Sequence, residues 1–447
     1  MRGLATVLCA MAIACASFAI AAQPAQRWAT SWAASVQGPY PVGNPSAQPV
    51  LRFAFPSAAI GARDQTFRLI VQPDIFGRTA RLRFSNVFGT KSVTFDAVFV
   101  GLQLAGATLV PGSNRAVSFA GERSVTVPAG QSLWSDAVEL SFVPDDAREL
   151  AGRKLAVSFH VAGESGPMTW HAKALQSSYL TAPGVGARGA SEDEAAFPFT
   201  TTSWYFLDAV DMMADADTSV IVALGDSITD GTASTLNGDD RWPNVLARRL
   251  HAVYGNKVAV VNAGIGGNQV VGPAEYSAQS PFPGGPSADA RLERDVLELS
   301  GVSTVIWLEG INDFSQNGNA TVEAVTARMT DLVGRMRQRL PGVRVIGATV
   351  TSALGSSNAA HGSRQQDDKR KSLNDFIRQS GVFDGVVDFD KATSDSETGG
   401  LRSEFVPEST TGGPGDKLHP NRAGYLAMGL AIDLDLVLPK GGSRTSR

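Results

Sequence analysis

The chain has 447 residues, a formal net charge of −4 and 18% charged residues. That length exceeds one ordinary core, so two domains are expected. Lys and Arg are scattered, which argues against the basic stripe of a nucleic-acid groove, and the Gly-rich composition fits a globular chain with many turns rather than a disordered one.

Residues Met1 to Ala21 read as an export signal, which assigns the protein to a secreted or periplasmic location. Arg2 supplies the positive start, Leu4 to Ile20 is apolar and small, and Ala19-Ile20-Ala21 gives a small-x-small cleavage pattern. The apolar run is at the short end for a membrane anchor. Cleavage before Cys15 with lipid attachment is the alternative, and it would leave a very short apolar segment upstream. Both cysteines, Cys9 and Cys15, lie inside this leader, so the mature chain is expected to hold no disulfide and to rely on its cores. No later run is apolar enough to cross a bilayer.

From Trp28 to Asp215 the pattern has period two. Ala80, Leu82 and Phe84 alternate with Arg81 and Arg83, and Val93, Phe95, Ala97 and Phe99 repeat the pattern, as do Leu155, Val157, Phe159 and Val161. Such strands have one apolar and one solvated face. Breaks at Pro111-Gly112-Ser113-Asn114 and Pro144-Asp145-Asp146 separate them. Residues 28–215 are therefore expected to form an all-β accessory domain, sandwich or jelly-roll-like. His160 on the polar side of its strand and His171 in a loop read as surface or interfacial histidines without a mechanism. Trp28, Trp32, Trp170 and Trp204 read as packing residues, with a sugar-binding platform as the sharper alternative. The Gly-, Ala- and Ser-rich segment from Ala182 to Pro198 reads as a long loop near the domain boundary.

After residue 218 the pattern changes to βαβα alternation. Strands are expected at Val220–Leu224, Val258–Val261, Thr304–Leu308, Val343–Val350 and Gly385–Phe389. Helices are expected at Trp242–Val253, Asp289–Leu299, Thr321–Leu340 and Lys369–Ser380. This predicts a mostly parallel sheet with helices on both faces. Three strands end in short turns bearing small polar groups: Ser227, Gly266-Gly267-Asn268 and Asn312. A fourth polar cluster, Asp416-Lys417-Leu418-His419-Pro420, follows near the chain end. The carboxyl ends of neighbouring parallel strands converge on one rim, where such groups can meet.

Gly225-Asp226-Ser227, the Gly267 turn, Gly310-Ile311-Asn312-Asp313 and Asp416-x-x-His419-Pro420 resemble the four blocks of the SGNH (GDSL) hydrolases, in the family's order and at its usual spacing. The resemblance covers residues 218–438 and implies a flavodoxin-like α/β catalytic domain. The preceding β-rich module resembles that of secreted bacterial members. Carried over residue by residue, it implies Ser227 as nucleophile, His419 as general base and Asp416 as the residue orienting His419. It implies Ser227, Gly267 and Asn312 as oxyanion donors.

The residue types suit those roles. A serine hydroxyl needs an adjacent base near neutral pH, and a carboxylate three residues from an imidazole can hold one ring nitrogen while the other faces the serine. Backbone N–H groups and an amide can be fixed in advance to meet a developing oxyanion, and Gly267 allows close backbone approach. Each block also has a plain reading as a turn former or helix start; their coincidence at four strand ends favours chemistry. A dinucleotide fingerprint fails because Gln269 occupies the third glycine position, and no metal-ligand spacing occurs. His251 and His361 read as a helix-surface and a loop histidine, the latter in the polar loop from Ser352 to Asp368 that borders the site. The stretch Gly272–Pro286, with Tyr276 and Phe282, is expected to form a rim or lid.

The expectation is thus an exported, cofactor-free and metal-free serine esterase. Its partner is an ester substrate, with short acyl groups such as acetyl on polysaccharide favoured by analogy. Lipid or aryl esters, and a non-catalytic carbohydrate-binding protein, are the alternatives. Oligomeric state is open.

Overall fold

The computed structural model describes residues 25–438. The leader reading, with Cys9 and Cys15, lies outside the described residues. The amino-terminal half is built on β1 (Gln26–Ala33), β2 (Arg63–Val71), β3 (Thr79–Ser85), β4 (Val93–Ala105), β5 (Leu155–Glu164), β6 (Ser178–Leu180), β7 (Phe199–Thr201) and β8 (Leu207–Asp215). One antiparallel sheet runs β1-β8-β3 with short strands on the outer edge of β3. The other runs β7-β6-β2-β5-β4 with short strands on β4. Their inner faces share one core, where Phe67, Phe84, Phe95 and Phe159 form a cluster of stacked and edge-on rings. This is a β-sandwich.

The period-two pattern locates these strands because each buries one side. It misleads about the other side of β3. Arg83 is buried, with Nε 2.7 Å from Asp208 Oδ1, and it also donates to the Arg294 carbonyl. Arg81 pairs with buried Asp211 and reaches Ser300. The face expected to meet water is therefore covered by the second half of the chain. The segment 182–198 packs on the sandwich rather than at the boundary. The Arg68 guanidinium, buried under it, donates to the carbonyls of Ser191, Asp193 and Ala107. His160 is likewise no surface histidine: it is buried between Asp96 and Asp64 at 2.7 and 2.9 Å.

The carboxy-terminal half contains β9 (Ser219–Gly225), β10 (Val258–Gly264), β11 (Val302–Leu308), β12 (Arg344–Ala348) and β13 (Gly385–Val387). All are parallel, in the order β10-β9-β11-β12-β13. This is the 2-1-3-4-5 doubly wound order, whose crevice opens at the carboxyl ends of the first and third strands. Its helices include α1 (Ser227–Asp230), α2 (Trp242–Tyr254), α3 (Ala288–Leu292), α4 (Val322–Arg339), α5 (Arg364–Gln379) and α6 (Arg422–Ala431).

Alternation along β9 divides the core. Val222 and Leu224 face α3, α4 and α5, whereas Ile221 and Ala223 face α2 and α6. Ala29, Ala33 and Ala209 of the sandwich join the first of these clusters, so apolar packing is continuous across the two halves. Helix α5 starts five residues before the expected Lys369, because Ser363 and Gln366 form a reciprocal capping box. The helix expected at Asp289–Leu299 is α3 followed by a π-helical turn over Glu293–Leu297.

Candidate active site

Strand β9 delivers Ser227 to the rim. The apolar run ends at Gly225, and the Asp226 side chain accepts the Ile228 N–H at 2.9 Å, starting the short helix α1 with Ser227 at its first position. Ser227 Oγ lies 2.8 Å from His419 Nε2, and His419 Nδ1 lies 2.7 Å from Asp416 Oδ2. The other Asp416 oxygen accepts the backbone N–H groups of Leu418 and His419, both at 2.9 Å, which fixes the carboxylate before it meets the ring. Burial alone would raise the Asp416 pKa. The His419 hydrogen bond and charge, with the two backbone donors, hold it well below the usual carboxylate range. With Asp416 ionised, Nδ1 carries the proton and Nε2 is free to accept the serine hydroxyl's.

Gly267 lies at the turn after β10 with φ +88°, a left-handed conformation that favours glycine. Asn312 follows β11; its Nδ2 donates to the Asn268 carbonyl at 3.0 Å, which orients the amide and leaves its second N–H available. Ser227, Gly267, Asn312 and His419 line one cleft of about 370 Å³. All of the sequence-predicted site residues except Asp416 face this space, and Asp416 stands behind His419.

Several supporting residues have no motif of their own. Asp313 accepts the backbone N–H groups of Val270 and Val271 at 2.9 and 3.0 Å, tying the end of β11 to the Gly267 loop. Burial raises its pKa to about 7, with Glu309 adding to the shift and the two backbone donors opposing it. Fully buried Arg291 donates to the carbonyls of Gly225 and Ala263 and to Asn268 Oδ1, clamping the ends of β9 and β10 to the same loop. The buried His171 and Asp230 meet beneath the turn. Only Asp313 carried a sequence signal, as the last residue of its block.

Neighbouring loops complete the cleft. Phe282, Pro283 and Gly284 form one wall, while Tyr276 of the same stretch points away and bonds Gly38 through both its N–H and carbonyl. His361 also lines the cleft; burial and the neighbouring His419 push its pKa down to about 4, with Asp416 opposing, so it is neutral near pH 7.

Comparison with known proteins agrees with the fold. Residues 223–427 match the GDSL-like lipase/acylhydrolase family. No curated protein matches the chain in sequence. Among solved structures, the chain is similar to a carbohydrate acetylesterase from Sinorhizobium meliloti, with 14% identity, 48% of this chain and 97% of that chain covered, and a TM-score of 0.36. It is similar to a putative arylesterase from Agrobacterium tumefaciens at 19% identity, 48% and 96% coverage and a TM-score of 0.37. The aryl esterase of M. smegmatis gives 17%, 48%, 96% and 0.37. The carboxy-terminal part of the chain, residues 223–427, thus carries the match to the GDSL-like lipase/acylhydrolase family, in line with the SGNH resemblance of its four sequence blocks.

Proposed function

We propose that the protein is an exported serine esterase that hydrolyses carboxylic esters through an acyl-enzyme, with short acyl groups such as acetyl on polysaccharide as its substrates. In this reading residues 1–21 are the export signal, 28–215 the accessory domain and 218–438 the catalytic domain. The Ser227–His419–Asp416 line, at 2.8 and 2.7 Å, is the observation that supports it.

The Ser227 hydroxyl attacks the ester carbonyl as its proton passes to His419 Nε2, and ionised Asp416 stabilises the imidazolium that forms. Negative charge on the former carbonyl oxygen meets the N–H groups of Ser227 and Gly267 and the Asn312 amide, donors already in place before reaction. The tetrahedral intermediate collapses, the carbon–oxygen bond to the alcohol breaks, and His419 returns the proton to the leaving oxygen. Water then repeats the sequence on the acyl-enzyme, giving the acid and free Ser227. No step calls for a metal or cofactor. The cleft is lined by the amides of Asn44, Gln269, Asn312, Asn317 and Asn358, a lining that suits a hydroxyl-rich alcohol better than an apolar tail.

The test compares wild type with Ser227→Ala on p-nitrophenyl esters of increasing chain length and on acetylated xylan and pectin. Acetate release by the wild type alone, undiminished in excess chelator, is expected. Equal rates in both proteins refute the enzyme reading. A preference that climbs with acyl length assigns the protein to lipid esters instead.

A further inference from the structure

Lys173 belongs to the sandwich half, two residues past the short strand Trp170–His171, yet its side chain lines the cleft beside Ser227 and His419. It is 5% exposed. Its Nζ donates to Thr232 Oγ1 at 2.5 Å and lies so near the Gly267 turn that a Cβ on Gly266 would stand 2.9 Å from it. Among the described residues the Lys173 side chain forms no ion pair, and Thr232 is the one hydrogen-bond partner of its Nζ. An ammonium carries three donors, so two N–H groups remain for whatever fills the cleft. Burying donors without acceptors is costly, and such a group calls for an explanation.

The rest of the lining sharpens the point. It contains five neutral amides, two histidines and no carboxylate, so Lys173 is the cation of an otherwise uncharged polar cleft. Burial lowers the Lys173 pKa and Arg241 adds to the shift, while the carboxylates of Asp230, Asp416 and Asp226 oppose it without touching the amine; a carboxylate brought into the cleft would favour the ammonium further. Asn44, also from the sandwich half, donates to the Gly266 carbonyl at 2.7 Å, so that half contributes both the cation and a brace for the turn on which it rests.

Resting on the esterase reading above, we propose that Lys173 is a specificity-determining residue, and that the ester held in this cleft carries a carboxylate beside the scissile group: an acylated uronic-acid sugar. A carboxylate would accept the two remaining N–H donors as charge-assisted hydrogen bonds, which are about twice as strong as neutral ones. A neutral sugar offers the same position only a hydroxyl.

The experiment measures kcat/KM for two esters that differ only there, the monoacetates of methyl galacturonoside and methyl galactoside, with p-nitrophenyl acetate alongside. Wild type is expected to favour the uronic ester by about tenfold or more. Lys173→Met is expected to bring the ratio to unity or below, and Lys173→Arg to keep part of it. Independently of any variant, free methyl galacturonoside should inhibit wild-type hydrolysis of p-nitrophenyl acetate at lower concentration than methyl galactoside does, an advantage that salt weakens. A wild-type ratio near one, equal inhibition by the two sugars, or a Lys173→Met variant that slows both sugar esters alike would overturn the proposal. Failure of the esterase reading shows differently, as no hydrolysis of any of the three esters.

Discussion

Asp230 Oδ1 lies 3.1 Å from His171 Nε2, while the other Asp230 oxygen accepts the Gly266 N–H at 2.9 Å. One buried carboxylate therefore ties the β-sandwich to the turn that carries Gly267. The opposite ring nitrogen, His171 Nδ1, faces the Ser35 carbonyl at 2.8 Å, and Nε2 also faces the Lys173 carbonyl at 3.1 Å. With acceptors at both nitrogens the ring is held as the imidazolium. Burial opposes that charge, but the Asp230 carboxylate and the two carbonyls outweigh it and raise the His171 pKa.

A raised folded-state pKa fixes the sign of a pH effect. His171 binds its proton more tightly in the folded chain, so its contribution is complete below the unfolded value, about 6.5, and is lost as pH rises through the folded value. Thermal unfolding should show stability falling across that window in wild type. His251, raised by Asp74 against burial, contributes a slope of the same sign. In His171→Gln the slope should therefore be shallower without vanishing; an unchanged slope would show that His171 does not gain a proton on folding.

Removing one member of this pair leaves the other charge buried alone, which typically costs about 3–5 kcal/mol. His171→Ala should lower the urea midpoint accordingly. Because Asp230 holds the Gly266 N–H, kcat on p-nitrophenyl acetate should fall with it even under conditions where the variant is fully folded. Full activity in the folded variant would mean that the turn keeps its geometry without the sandwich.

Such links explain what the sequence revealed and what it hid. The parallel sheet was legible because β9 is an apolar run that ends at Gly225 and β11 one that stops just before Glu309-Gly310, and the site blocks were legible because each is short and local. Asp230 and His171 were not, since neither has a local pattern and their meaning lies in a contact between distant segments. Arg83 was misread for a related reason: alternation tells which face of a strand is polar, not whether another domain covers it. The start of α5 is different, because Ser363-x-x-Gln366 stood in the sequence as a capping box and could have been read.

Asp416→Asn tests the proposed orienting role with little change in shape. The amide keeps one oxygen for the Leu418 and His419 N–H groups, but presents NH2 to His419 Nδ1, which must then accept. The proton moves to Nε2, where it faces Ser227 Oγ and blocks the transfer. A loss in kcat of about 10⁴-fold is expected, with KM for a short ester nearly unchanged, by analogy with the same exchange in serine proteases. A loss below tenfold in steady-state kinetics would remove Asp416 from the mechanism.

Asn312→Ala removes a proposed oxyanion donor and, with it, the bond to the Asn268 carbonyl. The first effect acts where charge develops, so kcat should fall by about 10²–10³-fold. The second is a lost hydrogen bond of about 0.5–1.5 kcal/mol, visible in Tm. Asn312→Asp loses both donations at nearly constant shape, since a carboxylate can neither donate to the oxyanion nor bond the carbonyl, so a like fall in kcat would trace the effect to donation rather than to lost bulk. If Asn312→Ala lowers Tm but leaves kcat intact, the amide is a brace rather than a donor.

Gly267→Ala asks whether the turn or its surroundings set the donor's position. At φ +88° an alanine is strained by about 1–2 kcal/mol whatever the space around it. Its Cβ would also stand 2.7 Å from Asn44 Nδ2 and 3.2 Å from Gly284 Cα. The Asn44 amide is the end of a side chain and can swing aside, giving up its 2.7 Å bond to the Gly266 carbonyl, whereas Gly284 moves only with its loop. Adding Asn44→Ala to Gly267→Ala should therefore recover the clash but not the backbone strain, leaving a residual loss of stability near the strain alone. The N–H of residue 267 turns with its backbone, so kcat should remain depressed in the double variant. Restoration of kcat to the level of Asn44→Ala alone would show that crowding, not backbone conformation, governs this donor.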